Sequence, residues 1–249
     1  MSKLSRSKAR RGGLRRLLSV LIGLPLMAFC GFAAWIAWIG RDSGPPSRCH
    51  GGVVGGWLEG GRRLPLWGEN YSAYSIPGWL AGRTFMHQSV RDAALAAYAN
   101  LAQSHPELRF SYAESAWPWG GRLAPHRTHM NGTSVDFQVP VRTLDGAITD
   151  FPASVFNKLG YNVRFDRLGR SGNYQIDFEA MALHLLALNE AARAQGISIG
   201  RVIFDVRLQP RLFATEAGQR LRGAMSFNNR QAWVPHDEHY HVDFRVPCG

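Results

Sequence analysis

Two kinds of pattern divide this chain. From Leu17 to Gly40 no position is charged, and most are Leu, Ile, Val, Ala, Met, Phe or Trp. Such a stretch, apolar on every side, belongs to a helix in apolar surroundings. As a helix its roughly 24 residues extend about 36 Å, enough to cross a bilayer with some tilt. Trp35 and Trp38 near one end suit a membrane interface. After Arg41 the apolar residues come instead in short periodic runs between glycine, proline and polar clusters.

The first of these regions, residues 41–65, is rich in Gly, Pro and Ser and shows no apolar period, so it reads as a linker. Residues 66–249 then form one domain. Ser89–Gln103 is Ala-rich with Leu and Tyr at helical spacing, and Pro106 closes the helical region. Leu108–Ala113 alternates as a strand does. Trp117–Arg122 is a turn-rich loop. Val135–Val139 alternates again, with Asp136 on one face and Val135 and Phe137 on the other. Leu144–Asn173 is loop-rich. Asp177 suits an N-cap for a helix over Phe178–Gln195, striped by Met181, Leu185, Leu188 and Ala192 and stopped by Gly196. Arg201–Val206 and Tyr240–Val246 are strand candidates. Helices and strands without a βαβ rhythm predict an α+β fold, a small, mostly antiparallel sheet with flanking helices after one N-terminal transmembrane helix.

Composition changes this picture little: 45% hydrophobic and 19% charged residues describe an ordered domain. The formal charge of +11 does change it, because seven basic residues between Lys3 and Arg16 supply most of it. They precede the apolar span, and the positive-inside rule accounts for them better than nucleic acid does. Residues 1–16 are thus expected in the cytoplasm, 17–40 in the membrane as a single pass, and the domain outside the cytoplasm. A cleaved signal peptide would have a shorter apolar region and small residues at its end. A lipidated Cys30 fits poorly after Phe29. Cys49 and Cys248 lie at the two ends of the exported domain, where a disulfide can persist, so a Cys49–Cys248 bridge is expected over two free thiols.

Five of the nine histidines fall in two short segments, His126-Arg-Thr-His129 with Asp136 downstream, and His236-Asp-Glu-His239-Tyr-His241. Imidazole and carboxylate are zinc ligands, and three of them plus a water make a catalytic site. Gly132 lets the chain turn between His129 and Asp136. In an extended chain His239 and His241 leave the same face. His129, Asp136 and His241 are the expected ligands of Zn²⁺, with His239 as the catalytic proton acceptor. His126 and His236 flank them as supporting residues. Asp237 and Glu238 read as solvated loop acids, His184 as a packed core histidine, and His50, His87 and His105 carry no motif. The two tryptophans Trp117 and Trp119 suit either a cleft or a core.

These residues resemble the zinc signature of the LAS metallopeptidases, named for lysostaphin, D-Ala-D-Ala peptidases and sonic hedgehog. Gly120-Gly121, the run from Pro125 through His126, His129 and Gly132 to Asp136, and His236 beside His239-Tyr240-His241 bring the chain closest to the penicillin-insensitive murein endopeptidases. The likeness spans roughly Tyr112–Phe244 and is firm at the two motifs. It implies a compact α+β zinc peptidase of the periplasmic side that cuts D-amino-acid-containing cross-links of peptidoglycan. It makes His129, Asp136 and His241 ligands, His239 catalytic, and His126 a supporting residue or an additional ligand. The membrane anchor departs from the usual soluble members, and no second metal site has a counterpart. A D,D-carboxypeptidase or dipeptidase with the same site, or a non-catalytic zinc module that binds cell wall, are the alternatives.

Overall fold

The fold is that of a computed structural model, which describes residues 3–39 and 44–249, with side chains for 18–38 and 44–249. The side chains of the basic tail and residues 41–43 of the expected linker lie outside the described residues.

In chain order, helix α1 (Lys3–Ile39) is followed by the short strands β1 (Arg48–His50), β2 (Trp57–Glu59), β3 (Arg62–Arg63) and β4 (Tyr71–Ala73). Helix α2 (Ile76–Leu80), β5 (Phe85–Met86) and α3 (Gln88–Ser104) come next. Strands β6 (Phe110–Tyr112), β7 (Ser134–Gln138), β8 (Val141–Thr143), β9 (Ile148–Thr149), β10 (Arg170–Ser171) and β11 (Tyr174–Ile176) lead to α4 (Phe178–Ala194). Strand β12 (Ser198–Ile203), the short helices α5 (Gln209–Leu212) and α6 (Glu216–Leu221), and β13 (His239–Arg245) complete the chain. The architecture is α+β, as the pattern predicts.

The central sheet has the order β12-β13-β7-β6-β4, antiparallel except for the β4–β6 pair. In β7 and β13 side chains alternate between its two faces. Val135, Phe137, Tyr240 and Val242 join the core with α3 and α4, whose Ala93, Ala97, Met181, Leu185 and Leu188 are buried. The opposite face carries Asp136, His239 and His241, with Asp136 directly across from His241. An apolar face that needs a helical cover therefore holds the polar face in place.

Both long helices form where their apolar stripes predict. Asp177 caps α4 by accepting the Ala180 N–H, and Gly196, at φ +71°, ends it. Helix α3 is capped by His87, whose ring accepts the Ser89 N–H, a role no motif announces. Strand β12 starts at Ser198 rather than Arg201, because its register runs from Ser198 opposite Arg245 to Ile203 opposite His241. The chain then turns, with the Asp205 N–H on the His236 carbonyl.

The expected linker differs most. From Ser47 onward it is folded against the domain: β1 and β2 form a hairpin, β3 pairs with β5, and Cys49 is bonded to Cys248. The disulfide and these pairings supply order that apolar periodicity does not reveal.

Candidate metal centre

The first histidine segment is a loop, and its geometry comes from backbone that few residues adopt. His129 has φ 71° and Gly132 φ 73°. A Cβ at Gly132 would stand 2.6 Å from Leu58 Cδ2 and 3.1 Å from the His87 nitrogen, so only glycine fits this turn. The turn sends the chain straight into β7, which delivers Asp136 to the sheet's polar face. The partner strand delivers His239 and His241 to the same face.

Around Asp136 the histidines converge. His129 Nε2 is 3.2 Å and His241 Nδ1 2.9 Å from Asp136 Oδ1. His126 Nδ1 and His239 Nε2 each lie 3.8 Å from Oδ2. His129, Asp136, His239 and His241 are all buried. The ligand atoms of His126, His129 and Asp136 lie within 4.8 Å of one another, a group that could hold a metal ion.

The outward-facing ring nitrogens determine what the inward ones can do. His126 Nε2 meets Glu114 Oε2 at 2.5 Å, His129 Nδ1 meets the Ser134 carbonyl at 3.3 Å, and His241 Nε2 meets Asp243 Oδ1 at 2.7 Å. Carbonyl and carboxylate oxygens only accept, so these nitrogens carry the protons and donate them outward. The other nitrogen of each ring then turns a lone pair toward Asp136. Lone pairs and a carboxylate repel unless they share a cation, either a proton on His241 or a metal ion. Outer partners of this kind orient ligand imidazoles in metal sites.

The outer partners are themselves held. Glu114 is bonded by Arg83 through Nε and Nη2 and by the Tyr74 hydroxyl. Burial works to raise its carboxyl, but His126 and Arg83 outweigh burial and hold it down at about 2. Asp243 accepts the Ser134 hydroxyl at 2.6 Å and Arg201 on its other oxygen. Burial favours neutral His129, whose pKa falls, whereas the two aspartates outweigh burial at His241 and raise it to about 9. Burial alone would raise Asp136, but the surrounding imidazoles bring it well below the ordinary carboxylate value.

Tyr161 completes the inner face. The Glu114 N–H can only donate, and it reaches the Tyr161 oxygen at 3.4 Å. The hydroxyl proton is thus left for Asp136 Oδ2 at 3.3 Å. His239 stands with Nδ1 3.1 Å from Glu238 Oε1 and its ring 4.6 Å from His236. Burial and the neighbouring His239 depress His236 to about 4, and its Nδ1 donates to the Val234 carbonyl at 2.9 Å.

Every expected site residue thus falls in one cluster: His126, His129, Asp136, His236, His239 and His241. Asp237 and Glu238 are not solvated loop acids. They are 1% and 3% exposed, because the turn into β13 folds them inward. Asp237 accepts the Phe165 N–H and is pushed up to about 6 by burial, while Glu238 faces His239. His184 is a core residue, stacked on Tyr98 and bonded to the Tyr240 hydroxyl. Glu114, Asp243, Arg83 and Tyr161 belong to the site without any motif. Only Asp243 had a readable signal, two residues past His241 on the same strand face.

The cluster lies in a cleft of about 610 Å³ whose walls include Arg83, Tyr161, Arg164, Trp233 and Glu238. That volume suits a small molecule or a few peptide residues. No protein-family model matches the chain, and no curated protein does.

Proposed function

We propose that this protein is a membrane-anchored zinc peptidase of the LAS type that hydrolyses D-amino-acid-containing peptide cross-links of peptidoglycan. One observation carries the proposal. Three histidines give their outward N–H groups to fixed acceptors, so that their remaining ring nitrogens face the buried Asp136 in an open cleft. A nitrogen-rich donor set with one carboxylate suits zinc. His129, Asp136 and His241 would hold the ion, and His126 is placed as a further ligand. When bound, zinc supplies Lewis acidity and brings a coordinated water toward neutral pKa.

His239 sits beside Asp136 with Nε2 on the Asp136 side and Nδ1 3.1 Å from Glu238 Oε1. That orientation leaves Nε2 to accept a proton from the attacking water and return it to the leaving amine. The Glu238 carboxylate stabilises the imidazolium by its charge. Neutral His236 beside it adds no competing charge. Arg164, 3.2 Å from Glu238, closes this side. A binding module would have no use for a base so placed.

The 21-residue helical span from Leu18 to Trp38 is long and apolar enough to cross a membrane. Its preceding basic residues orient it N-terminus in, which puts the cleft on the cell-wall side.

The test is incubation of the protein with purified peptidoglycan, with and without a chelator, and analysis of products by mass. Cross-linked dimers split into monomers, with loss on chelation, are expected. Release of free alanine alone would make it a carboxypeptidase, and no product under any metal would remove the peptidase assignment. His239→Ala should keep zinc and lose cleavage by at least about 10²-fold, the usual worth of general-base catalysis.

A further inference from the structure

The end of α1 meets the domain at one place. Ile36 is fully buried, while the residues around it on the helix are exposed or half-buried. A Cβ at Gly82 would lie 3.1 Å from Ile36 Cδ1, and the Trp35 ring is 5.8 Å from that of Trp119. Trp35 lies about 4.5 Å along the helix axis from Trp38, where the apolar span ends. Gly82 and Trp119 therefore stand within about one helical turn of the end of the apolar span, at the bilayer boundary.

The surface there has matching chemistry. Ile76 is 55% and Trp119 47% exposed, and Pro77 is exposed between α2 and the helix end. The run from Ser75 to Arg83 contains no acidic residue. Exposed Trp and aliphatic side chains are what the interfacial region of a bilayer accommodates.

We propose that α2, Trp119 and the end of α1 form a bilayer-docking face seated in the phospholipid headgroup layer, so that the domain rests on the membrane instead of swinging from a tether. The proposal rests on the anchored topology proposed above. A chain of contacts links this face to the site. Trp35 touches Trp119, Trp119 stacks on Trp117, and the Arg83 guanidinium lies over Trp117. Arg83 in turn bonds Glu114, and Glu114 bonds His126. Docking thus sets the height of the cleft wall and confines the site to peptides close to the membrane surface.

The test uses the full chain in phospholipid nanodiscs, in a Cys30→Ser background. An environment-sensitive fluorophore is placed at Ile76→Cys, Trp119→Cys, Met27→Cys within the helix, or Arg220→Cys on α6, which is exposed. Lipids with nitroxide on the headgroup or the acyl chain serve as quenchers. Headgroup quenching at 76 and 119 several-fold above that at 220 is expected. Quenching at 76 and 119 no greater than at 220, with strong acyl-chain quenching at 27, overturns docking and leaves the anchor standing. Absence of quenching at 27 overturns the anchor, and docking with it. Ile76→Cys replaces an exposed side chain, so its result stands even if Trp119→Cys disturbs the loop.

Discussion

The Tyr161 hydroxyl accepts the Glu114 N–H and gives its own proton to Asp136 Oδ2. It thereby turns the other carboxylate oxygen toward His129 and His241. Tyr161→Phe removes that constraint without opening a cavity, and should weaken metal binding about 10-fold or more, the usual worth of an outer partner. Competition with a chromophoric chelator measures this directly, independent of turnover. A second residue-scale prediction concerns His184, which burial depresses to about 3. In the unfolded chain its pKa is near 6.5. Its contribution is intact above that value and is lost as pH falls toward 3, because only the unfolded state takes up the proton. His184→Gln should flatten the stability–pH curve by up to ~1.4 kcal/mol per pH unit in that window. Denaturant midpoints at a series of pH values would show it. Ligand-type residues were legible one by one, because histidine and aspartate announce themselves. Tyr161 and Glu114 were not, since tyrosines and glutamates occur at many positions with no metal nearby.

At the scale of elements, the site is made by one register and one loop. Pairing His241 with Asp136 also pairs Tyr240 with Phe137, so the same alignment serves the polar cluster and the core. A slip by one residue would bury the histidines in the core and expose the apolar set, which holds the register firmly. The loop before β7 depends on Gly132. Gly132→Ala meets both a left-handed backbone and Leu58, and should destabilise by at least about 1–2 kcal/mol. Because the loop positions His129, metal affinity should fall with it, as thermal shifts with and without zinc would report. The alternation of Val135–Val139 and of Tyr240–Val246 was readable in advance. The pairing between strands a hundred residues apart was not, since either could have had another neighbour.

Over the whole molecule, the Cys49–Cys248 bridge joins the start of the domain to its end across a sequence separation of 199. A loop this long loses much entropy in the unfolded chain when closed, so removing the bridge should cost about 2–5 kcal/mol. Cys49→Ser with Cys248→Ser should show that loss in urea denaturation without change in the central sheet's circular dichroism. The bridge also explains why residues 44–65, polar and glycine-rich, pack instead of trailing. Their order comes from a covalent staple and from partners such as β5, neither of which leaves a periodic mark.

Sequence alone determined the apolar span, the two long helices, the strands bearing Asp136 and His241, the cysteine pair, and the six residues that converge on Asp136, of which His126, His129 and Asp136 form a group that could hold a metal ion. Each has a local signature: a period, a cap, or a side chain whose chemistry is rare. Tertiary structure decided the rest. It buried Asp237 and Glu238, brought Glu114, Arg83 and Tyr161 behind the histidines, and set the end of α1 on Gly82 and Trp119. Those are relations between distant segments, determined by how faces pack and how buried polar groups find partners, and no short window of sequence contains them.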